Sequence, residues 1–125
     1  MEILKIEGTG KTPTVMFDPN AGQLEISGRS ILENTMEFYG PLFDAIDQYI
    51  LSPSTVTKFN VQLEYFNTSS SKCLLDIFKK LQSLQLTGKS QVKVVWCYEE
   101  EDDDMLEAGV DYKSIVKLDF EMVVV

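Results

Sequence analysis

Histidine is absent from the 125 residues of this chain. That absence excludes Ser-His-Asp and Cys-His catalysis and removes the commonest zinc ligand. Cysteine is scarce, with Cys73 and Cys97 far apart and neither part of a CxxC pair. Their apolar neighbours point to buried free thiols rather than thiol redox chemistry or a cysteine zinc site. Positive charge is in short supply: 11 Lys and Arg stand against 20 Asp and Glu, a net charge of −9. With no basic stripe to neutralise phosphates, the chain is unsuited to nucleic acid, and anionic lipid repels it. An acidic surface favours solubility and basic protein partners instead. Long apolar runs are missing too, so no segment has membrane-spanning length. The opening Met1-Glu2-Ile3-Leu4-Lys5-Ile6 is too short and too charged for a secretory signal. A cytoplasmic setting is the expectation, and there the sequon Asn67-Thr68-Ser69 meets no glycosylation enzyme.

What is present reads as one compact domain over residues 1–125, with an ordinary apolar fraction of 44%. Leu4 to Glu7 predicts a short first strand or arm. Thr14-Val15-Met16-Phe17, the turn formers Asp18 to Gly22, and alternating Gln23 to Gly28 predict a β-hairpin. Asn34 and Glu37 form a variant capping box ahead of Phe38, Leu42, Phe43, Ile46, Tyr49 and Ile50 at helical spacing. Pro41 inside that pattern predicts a kink, or a short turn before the main helix. The next strand runs to Phe66, with Val61, Leu63 and Tyr65 on one face and Gln62, Glu64 and Phe66 on the other. A second helix follows from about Ser69 to Leu86, with Leu74, Ile77, Phe78, Leu81 and Leu84 inward and Gly88 as its stop. Asp76 is placed to pair with Lys79 or Lys80. Gln91 to Tyr98 reads as an interior strand, Asp103 to Ala108 as a short helix ending near Gly109, and Lys117 to Val124 as the last strand. The order implies an α/β (α+β) fold: a single mixed β-sheet with an N-terminal hairpin and two main helices on one face.

Two segments invite chemistry that their surroundings refuse. Gly8-Thr9-Gly10-Lys11-Thr12 resembles part of a P-loop, but Lys5 stands where the first glycine belongs and Pro13 follows where a helix must begin. It reads as a flexible connector. Glu99 to Asp104 supplies six successive carboxylates. Their spacing does not match an EF-hand, and acids near a helix start are favourable anyway. The run reads as a solvated docking surface. No metal or cofactor is expected.

The junction Glu64-Tyr65-Phe66-Asn67-Thr68-Ser69-Ser70-Ser71-Lys72 is the most informative stretch. A strand-like run stops at Asn67, four hydroxyls follow, and a helix begins. One capping side chain satisfies the free N–H groups of such a helix, and serine runs also serve as loop filler. The same place also accommodates an added phosphate, beside the positive end of the helix dipole. Both readings stand on physics alone.

Together with the following Leu74-Leu75-Asp76-Ile77, this junction resembles the signature of the SiaC family of bacterial regulatory phosphoproteins. Gly28-Arg29-Ser30-Ile31-Leu32-Glu33-Asn34 is similar to the family's second motif and Tyr98 to Gly109 to its acidic third; Leu32 departs from the expected proline. The resemblance implies a non-catalytic partner switch similar in logic and organisation to STAS-type anti-sigma-factor antagonists. It implies Thr68 as the residue modified by a cognate serine/threonine kinase with a histidine-kinase-like ATPase fold, and a metal-dependent phosphatase that reverses this. It further implies binding to a target such as a diguanylate cyclase, and through it cyclic di-GMP and biofilm control. Asn67, Ser69, Ser70 and Lys72 are expected to shape the surface that partners see, with Glu33 and Asn34 bordering it. The alternatives are a constitutive acidic adaptor and an enzyme built on buried carboxylates.

Overall fold

The computed structural model describes residues 2–125. Six strands and three helices follow one another as β1 (Leu4–Ile6), β2 (Thr14–Asp18), β3 (Gln23–Ser30), α1 (Thr35–Leu51), β4 (Val56–Phe66), α2 (Thr68–Leu86), β5 (Gln91–Tyr98), α3 (Asp103–Ile115) and β6 (Asp119–Val124). Strand order in the sheet equals chain order. The first three strands pair antiparallel and β3 to β6 pair parallel. Right-handed crossovers between adjacent parallel strands put every connecting helix on the same side. Accordingly, Phe43 and Ile46 of α1, Leu74, Ile77, Phe78 and Leu81 of α2, and Tyr112 of α3 share one core with Ile26, Phe59, Val61, Val94 and Trp96 of the sheet. The mixed sheet, its N-terminal hairpin and the one-sided helices are as the sequence implied.

Four details depart from the sequence reading. First, β3 and β4 slip register between Gly28↔Leu63 and Arg29↔Tyr65, which leaves Glu64 as an extra residue in β4. This bulge reverses the alternation beyond it. Phe66 therefore turns inward, its ring 6.2 Å from Trp96 and 6.4 Å from Tyr112, while Tyr65 is half exposed. Second, no separate turn precedes α1, which runs through Pro41 with Tyr39 and Leu42 buried on either side of it. Third, α3 continues past Ala108 to Ile115. Gly109 is not a stop: a Cβ there would meet the Trp96 indole at 2.5 Å, so the residue admits close helix–sheet approach. Fourth, Lys80 pairs with Asp47 of α1 at 2.7 Å rather than with Asp76. Its ammonium also lies 5.7 Å from the Phe43 ring.

Gly88, at φ +76, does end α2 as the sequence implied. The Gly8–Thr12 segment links β1 to β2 as a defined turn. Thr9 Oγ1 accepts the N–H groups of Lys11 and Thr12 at 3.2 and 3.1 Å, and Ile31 N–H donates to the Lys11 carbonyl at 2.7 Å. No helix among the described residues is long and apolar enough to cross a membrane.

Candidate functional site

The three parallel crossovers carry β3, β4 and β5 to the same edge of the sheet, where each hands over to a helix. Each helix opens on an Asx cap. Asn34, Asn67 and Asp102 accept the backbone N–H of Glu37, Ser70 and Met105 at 3.2, 3.0 and 3.0 Å. Three positive dipole ends thus meet at one edge. Two of them are answered by acids in the first turn: Glu37 in α1, Asp103 and Asp104 in α3. The first turn of α2 has none. It carries Thr68 and Ser69 there instead, both exposed.

The hydroxyl run divides sharply. The Thr68 hydroxyl engages no protein group among the described residues; its carbonyl accepts the Ser71 hydroxyl at 2.7 Å. Ser71 is half buried, and its own carbonyl accepts the Tyr112 hydroxyl at 2.9 Å. Ser70, expected on the partner-facing surface, is instead fully buried. Its hydroxyl donates to the Ser30 carbonyl at 2.9 Å and accepts from Ser30 Oγ at 2.7 Å. Ser30 Oγ in turn lies 2.7 Å from the Tyr39 hydroxyl, and with its own proton committed to Ser70 it accepts from Tyr39. Burial lifts Tyr39 to about 12, the Ser30 hydrogen bond partly opposing, so the phenol keeps its proton. Burial also raises Tyr112 well above the usual phenol range.

The remaining expected residues gather around this start of α2. Asn67 both caps α2 and donates its Nδ2 to the Leu32 carbonyl at 2.9 Å. That bond brings the loop bearing exposed Glu33 and Asn34 against the Thr68 turn. Lys72 is exposed one helical turn after Thr68. Asn34 Nδ2 also reaches Glu37 Oε2 at 3.3 Å, a side-chain contact in place of the reciprocal bond from the Asn34 backbone N–H. The run Glu99 to Asp104 is divided between the α3 cap, its first turn and an open groove of about 580 Å³ bordered by Gln62, Glu64, Cys97, Tyr98, Glu99 and Asp102. Among the described residues, no three carboxylate or thiol side chains converge as a metal site would require. Sequence reasoning missed Ser30, Tyr39 and Tyr112. The signal for Ser70 was present: it stands one turn before Cys73 and Leu74, on the inward stripe.

The SiaC family profile, described as that of a regulatory phosphoprotein, matches residues 6–125. The chain belongs to the SiaC family. It is 29% identical over 114 residues to an uncharacterised protein of Pseudomonas aeruginosa strain UCBPP-PA14, covering 91% of this chain and 90% of the other. It is similar to the crystal structure of apo-SiaC from Pseudomonas aeruginosa, with TM-score 0.92 and 27% identity over 99% of this chain and 100% of that one. It is also similar, with TM-score 0.91 and 27% identity over 98% and 99% of the two chains, to SiaC in a crystal structure of the diguanylate cyclase SiaD in complex with its activator SiaC, from the same organism. Family membership makes this chain a regulatory protein with the mixed α/β fold described above.

Proposed function

We propose that this chain is a non-catalytic cytoplasmic phosphoswitch with Thr68 as its phosphate acceptor. The observation that carries this is the vacant acidic place at α2: an exposed threonine stands in the first turn of the one helix, among three at this edge, that lacks an acid there. A phosphate adds about −1.5 to −2 charge at neutral pH. At a helix N-terminus it is stabilised by about 0.3–1 kcal/mol, and Lys72 lies on the same helical face. The scaffold tolerates the group. A partner that packs over a neutral hydroxyl does not, because desolvating the dianion costs several kcal/mol, roughly 1.4 kcal/mol per tenfold in affinity.

A cognate serine/threonine kinase and a metal-dependent phosphatase set the state of Thr68, and the target is a diguanylate cyclase whose output governs biofilm formation. The complex of the Pseudomonas aeruginosa relative with the cyclase it activates supports this class of target. Mass spectrometry of the protein from its native cell tests the acceptor: phosphate is expected on Thr68 and absent from Thr68→Ala. Affinity capture with native, Thr68→Ala and Thr68→Glu baits tests the switch. A cyclase retained by the first two and lost by the third is the expected result. Equal capture by all three makes the chain a constitutive acidic adaptor.

A further inference from the structure

The Asn67 side chain is held at both ends. Its Oδ1 accepts the Ser70 N–H at 3.0 Å and its Nδ2 donates to the Leu32 carbonyl at 2.9 Å. Only this orientation of the amide satisfies both partners. The Asn67 backbone adds two more bonds, N–H to the Ser30 carbonyl at 3.0 Å and carbonyl to the Ser71 N–H at 2.9 Å. One residue therefore fastens the first turn of α2 to the end of β3 and to the Ile31–Asn34 loop. Among the described residues, Glu33 and Asn34 make no hydrogen bond of their own to α2, and the next one is between Thr35 and Cys73. An amide group is planar, so its oxygen and nitrogen cannot reorient independently.

We infer that Asn67 is a positioning residue that reports the state of Thr68 to the Ile31–Asn34 loop. This rests on the reading of Thr68 as phosphate acceptor and adds to it a second place where a partner senses the modification. A dianion on Thr68, next in the chain, draws on the same first-turn N–H groups that Asn67 Oδ1 uses. Charged oxygens make the stronger hydrogen bonds, so they displace the neutral amide oxygen. Once Oδ1 gives up the Ser70 N–H, the amide plane turns and Nδ2 leaves the Leu32 carbonyl. The Ile31 bond to Lys11 still holds the start of the loop. Leu32 and Glu33 are released and Glu33 changes position, while Asn34 stays held as the cap of α1.

Backbone amide NMR shifts and 15N relaxation of the intact chain test this in four proteins: wild type, Asn67→Asp, Thr68→Glu and the double variant. Asp caps a helix as well as Asn but offers no donor to Leu32. Asn67→Asp is expected to shift the Leu32 and Glu33 amide signals, because the Leu32 carbonyl loses its donor, and to raise their mobility, while the signals of Ser70 to Lys72 stay in place. Asn67→Ser, a cap too short to reach Leu32, gives the same split. Thr68→Glu is expected to move the same loop signals in the same direction in the wild-type background and to add nothing in the Asn67→Asp background. Unchanged loop signals in Asn67→Asp overturn the inference. So does a Thr68→Glu effect that is nil in wild type or equal in both backgrounds. Phosphate on the native protein is read separately: its absence from Thr68 removes the acceptor and leaves the tie, whereas failed coupling leaves the acceptor intact.

Discussion

Substitutions at Ser70 and Thr68, two positions apart in the same run, should have opposite consequences. Ser70 is fully buried and its hydroxyl serves as both donor and acceptor to Ser30. Ser70→Ala removes that link and leaves buried polar groups short of a partner, a loss of about 1–3 kcal/mol. Ser70→Asp forces a carboxylate into the same dry position, at a cost of several kcal/mol or an elevated carboxyl pKa. Thr68 is exposed and, among the described residues, its hydroxyl has no protein partner to lose. Thr68→Ala should change stability by no more than about 0.5 kcal/mol, and Thr68→Glu should gain about 0.3–1 kcal/mol from the helix dipole. Urea unfolding of the four variants, compared at constant m, measures these differences. A Ser70→Asp protein as stable as wild type to within about 1 kcal/mol would refute the inside–outside division of the run. So would a Thr68→Glu protein destabilised by more than about 2 kcal/mol. The distinction matters for functional work, because lost partner binding in a Ser70 variant reports a damaged scaffold rather than a signal.

Two further predictions follow from the core. Tyr39 and Tyr112 ionise above the ordinary phenol value near 10 when folded. Below pH 10 both folded and unfolded chains hold these protons, and the contribution is fully present. Above it the unfolded chain releases protons that the native state retains, so stability falls by about 1.4 kcal/mol per pH unit for each tyrosine until the folded value is reached. Unfolding measured from pH 9 to 11.5 should show this decline, and Tyr39→Phe should reduce its slope; an unaltered slope would exclude Tyr39 as a source. Gly109→Ala pushes a methyl into the Trp96 ring and the Met122 side chain. Overpacking of about 1–3 kcal/mol outweighs the roughly 1 kcal/mol helix-propensity gain, so a lower urea midpoint is expected. A higher midpoint would mean that α3 rides further from the sheet.

The sequence disclosed those parts of the fold that depend on neighbours along the chain. The Leu74 to Leu84 stripe, the Asn67 cap, the turn between β2 and β3 and the Gly88 stop all follow from local period or backbone preference. The helix-start setting of Thr68 was legible for the same reason. Contacts across the fold were not. Glu64 looks like an ordinary outward strand residue, and only its pairing with β3 reveals it as the extra one that turns Phe66 inward. Gly109 reads as a breaker until Trp96 is seen beneath it. Lys80 has an acid four positions back, yet prefers Asp47 on the next helix, where Phe43 also receives the charge. Ser70 shows how a short polar side chain conceals burial: its helical phase pointed inward, while its chemistry suggested the surface.

A sheet whose spatial order repeats its chain order has a consequence for how the molecule is made. Each new β-segment joins the open flank left by the one synthesised just before it, and none must be inserted between two already in place. Growth from the ribosome can therefore be vectorial, each parallel strand closing on its predecessor across one intervening helix. The last segment brings Phe120 to within 5.1 Å of the Phe78 ring. A nascent polypeptide arrested ahead of Leu118 leaves that aromatic surface uncovered.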